Sequence, residues 1–206
     1  MSTRALPFSA IAFDLGGVLV NVDHQNFCRR LAAAAGRMPQ EVYAAVFQTP
    51  LEQDYDTGRI SSEEFHRRVL NHFRLKMPFS LFGQMWAEVF DSLQDMETVV
   101  AHLSRRYPLY LLSNTNELHF LYIQENFPSL LSHFRSFILS YRVGSRKPEP
   151  LIYQALIRES GLPPEQILYT DDREDFVAAA RSQGLAAWHF TSPGNFKEQL
   201  SLNGLW

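Results

Sequence analysis

The sequence predicts an α/β protein, a doubly wound parallel sheet with an all-helical segment inserted after its first strand. Three observations carry this reading. Five short apolar runs are continuous rather than alternating, as strands covered on both faces must be. Amphipathic helical patterns separate the last four runs. Between the first run and the second lies a long interval, 24–92, that holds helical patterns and no convincing strand.

The strands are read at 10–14 (Ala-Ile-Ala-Phe-Asp), 109–113, 137–140, 167–171 and 185–190. Helices are expected over 97–106, with Val99, Val100 and Leu103 on one face, then over 117–126, 149–160 and 174–183, the last stopped by Gly184. In the interval, Phe27, Leu31 and Ala34 mark one helix that ends at Gly36, and Val42, Ala45 and Val46 mark a second. Ser61 caps a third, with Glu64 completing a capping box ahead of Phe65, Val69 and Phe73. Leu81, Met85, Val89 and Phe90 mark a fourth. Tyr55-Asp56-Thr57-Gly58-Arg59 reads as a turn between these helices, placed where a lid reaches a ligand. The expected division is a core of 1–20 and 96–206 and a four-helix cap of 21–95 over the carboxyl end of the sheet; the rival arrangement packs the extra helices beside the sheet.

Composition narrows the function. With 206 residues, 46% of them hydrophobic and 20% charged, the chain is long enough to bury a core without metal or disulfide staples. A net charge of −3 and a pI near 6.2 give no electrostatic reason to expect nucleic acid or an anionic membrane as partner. No apolar run approaches the ~18 residues of a membrane-spanning helix, and the first residues have no signal-peptide pattern. The single cysteine, Cys28, cannot form an internal disulfide, so the expected compartment is a reducing cytoplasm. Oligomeric state is left open.

Ligands of open α/β sheets bind beyond the carboxyl ends of the strands, and four polar clusters fall there. In Phe13-Asp14-Leu15-Gly16-Gly17-Val18 a carboxylate ends a buried strand, and two glycines allow a sharp turn and close approach to a ligand. In Leu112-Ser113-Asn114-Thr115-Asn116, Ser113 and Asn114 offer short neutral donors suited to phosphate oxygens. In Arg146-Lys147-Pro148-Glu149-Pro150 a lysine directly precedes a helix, with Pro148 expected in its first turn, and can neutralise charge on a transferring phosphoryl group. In Thr170-Asp171-Asp172-Arg173 two adjacent carboxylates repel one another unless a cation lies near. Magnesium, which binds through one or two carboxylates plus waters and substrate phosphate, matches that supply. Each cluster alone has a plain alternative as a capping or solvated turn; their joint placement is what carries weight.

In this order the clusters resemble those of the haloacid dehalogenase superfamily, over essentially the whole chain from Phe13 to about Leu200. The likeness is to the phosphatases with a helical cap inserted in a Rossmann-like core, and to a bacterial subgroup that includes sugar-phosphate phosphatases, one acting on glucose 1-phosphate. The resemblance implies that Asp14 attacks phosphorus and carries the phosphoryl group as an aspartyl-phosphate. It implies a Mg2+ site from Asp14, the Gly16 carbonyl and Asp172, with Asp171 as ligand or as partner of Lys147. Ser113, Asn114, Lys147 and Gly17 would hold the phosphate of a small phosphorylated metabolite.

Two positions depart from the superfamily pattern. Gly16 stands where a second Asp usually protonates the leaving group, and general acid–base help is typically worth ~10²–10⁴-fold. Phe176 stands where relatives often carry Asn. The nearest candidates for the missing acid are Asp23 and His24. Two other functions compete: a metal-free 2-haloacid dehalogenase using the same Asp14, which would leave Asp171 and Asp172 uncompensated, and a binding or regulatory protein with a relic site. His66, His72 and His119 lie in helical stretches and are read as structural.

Overall fold

The computed structural model of the protein describes residues 8–206. The chain enters in β1 (Ala10–Phe13), turns through Gly16 and Gly17 into β2 (Val20–Val22), and continues through five helices, α1 (His24–Ala35), α2 (Pro39–Phe47), α3 (Pro50–Asp56), α4 (Ser62–Phe73) and α5 (Phe79–Ala87). It returns in β3 (Phe90–Ser92). From there helices and strands alternate: α6 (Met96–Leu103), β4 (Leu109–Ser113), α7 (Glu117–Asn126), α8 (Pro128–Leu131), β5 (Ser136–Leu139), α9 (Ser140–Val143), α10 (Pro150–Ser160), β6 (Ile167–Asp171), α11 (Glu174–Ser182), β7 (Ala186–His189) and α12 (Pro193–Leu202).

Five strands form one parallel sheet in the order β5-β4-β1-β6-β7. The first strand is therefore central, and the order reverses beside it: this is the switch point at which α/β sheets open a ligand crevice. Register fixes what meets there. Phe13 pairs with Leu111 on one side and with Thr170 on the other, so Asp14, Ser113 and Asp171 all emerge at the same end. Alternation along each strand feeds two cores. Ile11, Phe13, Leu109, Leu111 and Leu168 pack against α6 and α12 through Val99, Leu103, Phe196 and Leu200. Ala10, Ala12, Tyr110, Leu112 and Ile167 pack against α10 and α11 through Ile152, Leu156, Val177 and Ala180.

The inserted segment differs from expectation in three respects. It has five helices rather than four: Thr49 caps α3, accepting from the Leu51 N–H, and Pro50 occupies the first helical position, so Tyr55 and Asp56 end a helix instead of forming a loop. The last helix stops at Ala87, and Phe90 belongs to β3, which pairs antiparallel with β2 as Val20–Ser92, Asn21–Asp91 and Val22–Phe90. A three-residue strand is too short to show a period of two, and the apolar pair Val89-Phe90 extends the helical pattern ahead of it. Ser61 caps α4 as expected, but Glu64 turns away from a capping box to bind Arg67 and Arg68. In the core, α10 likewise begins at Pro150, so Pro148 lies in the preceding loop.

Aromatic rings hold the insert together and fasten it to the sheet. The Trp86 ring meets Phe27 edge-on at 4.8 Å and Phe65 at 4.6 Å, and stacks on His119 of α7 at 4.7 Å. Its indole N–H donates to Asn116 Oδ1 at 3.1 Å. The turn after α3 abuts α9: Gly58 has φ +67, and a side chain there would lie 2.4 Å from the Tyr141 carbonyl oxygen, so only glycine fits. No helix among the described residues is long and apolar enough to cross a membrane.

Candidate active site

Asp14 follows the central strand and receives its position from the sheet, its N–H donating to the Thr170 carbonyl at 3.0 Å. Lys147, 1% exposed, reaches it from the loop before α10 and lies 2.7 Å from Asp14 Oδ1 and 2.8 Å from Asp171 Oδ2. A buried ammonium between two buried carboxylates is the arrangement that makes either charge tolerable out of water. Burial nevertheless outweighs the lysine at Asp14 and lifts its carboxyl to about 7, with Asp171 pushing in the same direction. At Lys147 the two carboxylates outweigh burial and hold the ammonium above the usual lysine range.

Both oxygens of Asp171 are engaged. Oδ2 accepts from Lys147 and from the Tyr169 phenol, and Oδ1 accepts from the Arg173 N–H at 2.9 Å. Tyr169 also receives a hydrogen bond from Lys147 Nζ at 3.1 Å. Asp171 is thus the lysine's partner first. Asp172 points the other way, into the cleft and against Gly17: with φ +78, Gly17 is turned so tightly that an added side chain would lie 2.4 Å from Asp172 Oδ2. Oxygens of Asp14, Asp171 and Asp172 lie within 4.8 Å of one another. Burial, and after it the neighbouring Asp171, raise the Asp172 carboxyl. An all-oxygen donor set of this kind fits a small hard divalent cation.

The other expected residues sort differently. Ser113 lines the cleft, 2% exposed. Asn114 also lines it, but its side chain clamps the lysine's backbone, accepting from the Lys147 N–H at 2.7 Å and donating to the Lys147 carbonyl at 3.0 Å. Its amide is therefore committed to placing Lys147 rather than to a phosphate. The Gly17 N–H is likewise spent, donating to the Val20 carbonyl at 2.8 Å, and the glycine serves to let Asp172 approach. Gly16 lines the cleft with no room for a side chain, since a Cβ would sit 2.8 Å from Val22 Cγ2. Asp23 does not line the cleft: it stands just before α1, half exposed, its carboxylate making no capping bond and pairing with Arg29 at 2.8 Å. The next residue, His24, does line the cleft. Phe176 presents its ring to Lys147, 5.1 Å away, and to Arg173 at 4.0 Å, which puts an aromatic face where an amide was expected.

The cleft measures about 430 Å³ and is closed on the insert's side by Asn21, Val22, His24 and Phe90, and by Thr115 and His119 beyond β4. His119 is buried and locked: Nε2 donates to the Trp86 carbonyl at 3.0 Å and Nδ1 accepts from Asn116. Burial holds its imidazole down to about 3, so it stays neutral. The β2–β3 pair, Thr115 and Tyr169 escaped the sequence reading. Tyr169 carried a usable signal, since residue i−2 of a strand shares a face with residue i, here Asp171.

A buried carboxylate at the switch point, a buried lysine bridging it to an acidic pair and a helical insert beside the cleft on a five-stranded parallel sheet are the features of an α/β enzyme with its site at the strand ends. The family model for haloacid dehalogenase-like hydrolases matches residues 8–184, and the protein belongs to that family. It is 25% identical over 202 residues to a D-ribitol-5-phosphate phosphatase of Bacteroides thetaiotaomicron, covering 93% of this chain and 96% of that protein. Among solved structures it resembles a HAD-like family hydrolase of Porphyromonas gingivalis, with a TM-score of 0.81, 26% identity, and 95% and 97% of the two chains covered. It shares its fold with a haloacid dehalogenase-family enzyme of B. thetaiotaomicron solved with magnesium and inorganic phosphate, with a TM-score of 0.79, 21% identity, and 90% and 96% covered.

Proposed function

We propose that the protein is a magnesium-dependent phosphomonoester hydrolase that acts on a small phosphorylated metabolite through an aspartyl-phosphate on Asp14. The observation that carries this reading is the convergence of Asp14, Asp171 and Asp172 on one point, with Lys147 able to neutralise only part of their charge. Asp14 and Asp172, with the Gly16 carbonyl as a further candidate, would hold a divalent cation, which would supply the missing positive charge beside the nucleophile. Phosphoryl transfer asks mainly for positioning and charge neutralisation. Asp14 is positioned by the sheet, and Lys147 opposes the burial that raises its carboxyl; Lys147 is itself held by Asn114 and Asp171; Ser113 offers a hydroxyl to the phosphate. The insert, residues 21–95 on a core of 1–20 and 96–206, acts as the cap that closes over substrate.

Beyond the phosphate the cleft presents Asn21, His24 and Thr115, with Phe90 as its apolar face. Neutral donors and acceptors of this kind suit a hydroxylated leaving group, a sugar or polyol phosphate, better than a nucleobase or a polyanion. The relationship to a D-ribitol-5-phosphate phosphatase supports the polyol. A metal-free dehalogenase would leave Asp172 beside Asp14 and Asp171 with no compensating charge. Cys28 is buried and free, and burial raises its thiol to about 11, which suits a structural role in a reducing cytoplasm. The test is a screen of sugar, polyol, nucleotide and acyl phosphates with and without magnesium, with Asp14→Asn as control. Magnesium-dependent turnover that disappears in Asp14→Asn is the expected result. Turnover that survives in that variant removes the proposal.

A further inference from the structure

We infer that His24 is the general acid and base of this site: in its protonated form it gives a proton to the leaving oxygen, and it takes one back from the water that hydrolyses the Asp14 acyl phosphate. The inference rests on the proposed phosphatase reading and adds the one group that reading lacks.

The ionisable side chains lining the cleft are Asp14, His24, His119, Lys147, Asp172 and Arg173. Five are committed. Asp14 is the nucleophile, and Asp172 faces it across the cation point. Lys147 is bound to two carboxylates. Arg173 forms a two-point contact with Asp175 and remains charged at any working pH. His119 has both nitrogens in hydrogen bonds. His24 alone is free, and its Nδ1 is buried with no hydrogen-bond partner among the described residues. Burial holds the imidazole below its usual range, and a phosphate dianion in the cleft would favour its protonated form. A buried, unpaired nitrogen beside a cleft is costly unless a ligand or reacting water completes it.

The ring is also held in place. His24 is the first residue of α1; its imidazole lies 4.9 Å from the Phe47 ring and 6.2 Å from His119. Asn26, one half-turn on, ties the start of the helix to the Glu88 carbonyl at 2.7 Å. The preceding carboxylate, Asp23, is occupied by Arg29. His24 therefore lines from the insert the same cleft that Asp14 lines from the sheet.

The proton balance closes. In the first step a bond forms between an Asp14 oxygen and phosphorus, the phosphorus–leaving oxygen bond breaks, and imidazolium passes its proton to that oxygen. In the second, water attacks phosphorus, its proton goes to the neutral imidazole, the Asp14–phosphorus bond breaks, and inorganic phosphate leaves with Asp14 and imidazolium restored.

The test uses His24→Gln and His24→Ala with magnesium and two substrates: p-nitrophenyl phosphate, whose phenolate leaves without a proton, and an alkyl phosphate, ribitol 5-phosphate. On p-nitrophenyl phosphate the variants should release about one nitrophenolate per active site in a burst, then turn over ~10²–10⁴-fold more slowly than wild type, as loss of acid–base help demands. On the alkyl phosphate they should lose a similar factor with no burst. Added imidazole should restore part of the His24→Ala rate, a result that holds even where the glutamine variant folds poorly. Steady turnover within threefold of wild type, or a raised KM with unchanged kcat and no burst, overturns the assignment and makes His24 a binding residue. Failure of the parent reading looks different: wild-type protein then hydrolyses neither substrate, with or without magnesium.

Discussion

Two groups of carboxyls are buried in this protein, and they are neutralised by different means. At the strand ends, Asp14 and Asp171 share the Lys147 ammonium at 2.7 and 2.8 Å, and Asp172 adds a third charge at the same point. Under the insert, Glu52 and Asp56 lie one turn apart on α3. Asp56 is held by the Asn116 amide at 3.0 Å, and Arg146 acts on both from a distance. Burial lifts Glu52 to about 7, with Asp56 pushing it further, and lifts Asp56 to about 6. Burial lifts Asp14 to about 7 as well, so an ammonium in contact does not by itself keep a buried carboxyl ionised. What separates the groups is the means at hand: the first has Lys147 in contact and three converging carboxylates that suit a cation, whereas the second has a neutral amide and a remote guanidinium, which leave the proton as the cheaper answer.

The sharpest way to break this comparison is to remove each cation. Lys147→Met should cost about 3–5 kcal/mol in denaturant unfolding, the usual effect of stranding a buried charge, and should abolish hydrolysis. Arg146→Met should cost about 1 kcal/mol or less, since among the described residues Arg146 has no ion pair within bonding distance and its Nη1 has no hydrogen-bond partner. Equal losses from the two variants would mean that both groups depend on their cation, and the distinction would fall.

Proton uptake supplies the second test. Glu52 and Asp56 have folded-state values above their ordinary ones, so the folded protein binds more protons than the unfolded chain between about pH 4 and 7. Their contribution to stability is therefore full at the acid end of that window and is lost as pH rises through it. His119, held down to about 3, pulls the opposite way below the ordinary histidine range but does so equally in a carboxyl variant. With magnesium saturating, the melting temperature of the wild type relative to Glu52→Gln/Asp56→Asn should therefore fall by several degrees from pH 5 to pH 8. A double variant that keeps the wild-type slope would show that these carboxyls are ionised in the folded protein and that Arg146 is closer in effect than in distance.

The two groups also differ in how far the sequence discloses them. Asp14, Lys147 and Asp171-Asp172 sit at the ends of recognisable strands or before a helix, so chain order and register bring them together without further information. The strands themselves were legible because burial on both faces makes them apolar throughout. Glu52 and Asp56 carry no such sign. Their burial depends on the crossing of α3 with α9 and on Asn116 arriving from another helix, a tertiary fact no local pattern encodes. Asp23 and His24 show the same limit at closer range. Adjacent residues at a helix start point in different directions, and only the placement of α1 decides that the carboxylate meets Arg29 and the imidazole meets the cleft.

The smallest expected effect bears on what Asp171 does. Tyr169 donates to Asp171 Oδ2 while Lys147 occupies the same oxygen, and the phenol is fully buried, so burial and the two carboxylates push it well above its ordinary range and keep it protonated. Tyr169→Phe removes two hydrogen bonds, to Asp171 and from Lys147, leaves the lysine's ion pairs intact, and should cost about 1–2 kcal/mol in stability. Magnesium binding reports the rest. A ligand that binds only the folded state raises stability by about 2.7 kcal/mol at a hundredfold excess over its Kd, and the rise in melting temperature across a magnesium titration gives that Kd. With Asp171 serving as the lysine's partner, the magnesium Kd of Tyr169→Phe should match wild type within twofold. A several-fold change would mean that Asp171 lends an oxygen to the cation and that the phenol sets how firmly, which would move Asp171 from the lysine's side of the site to the metal's.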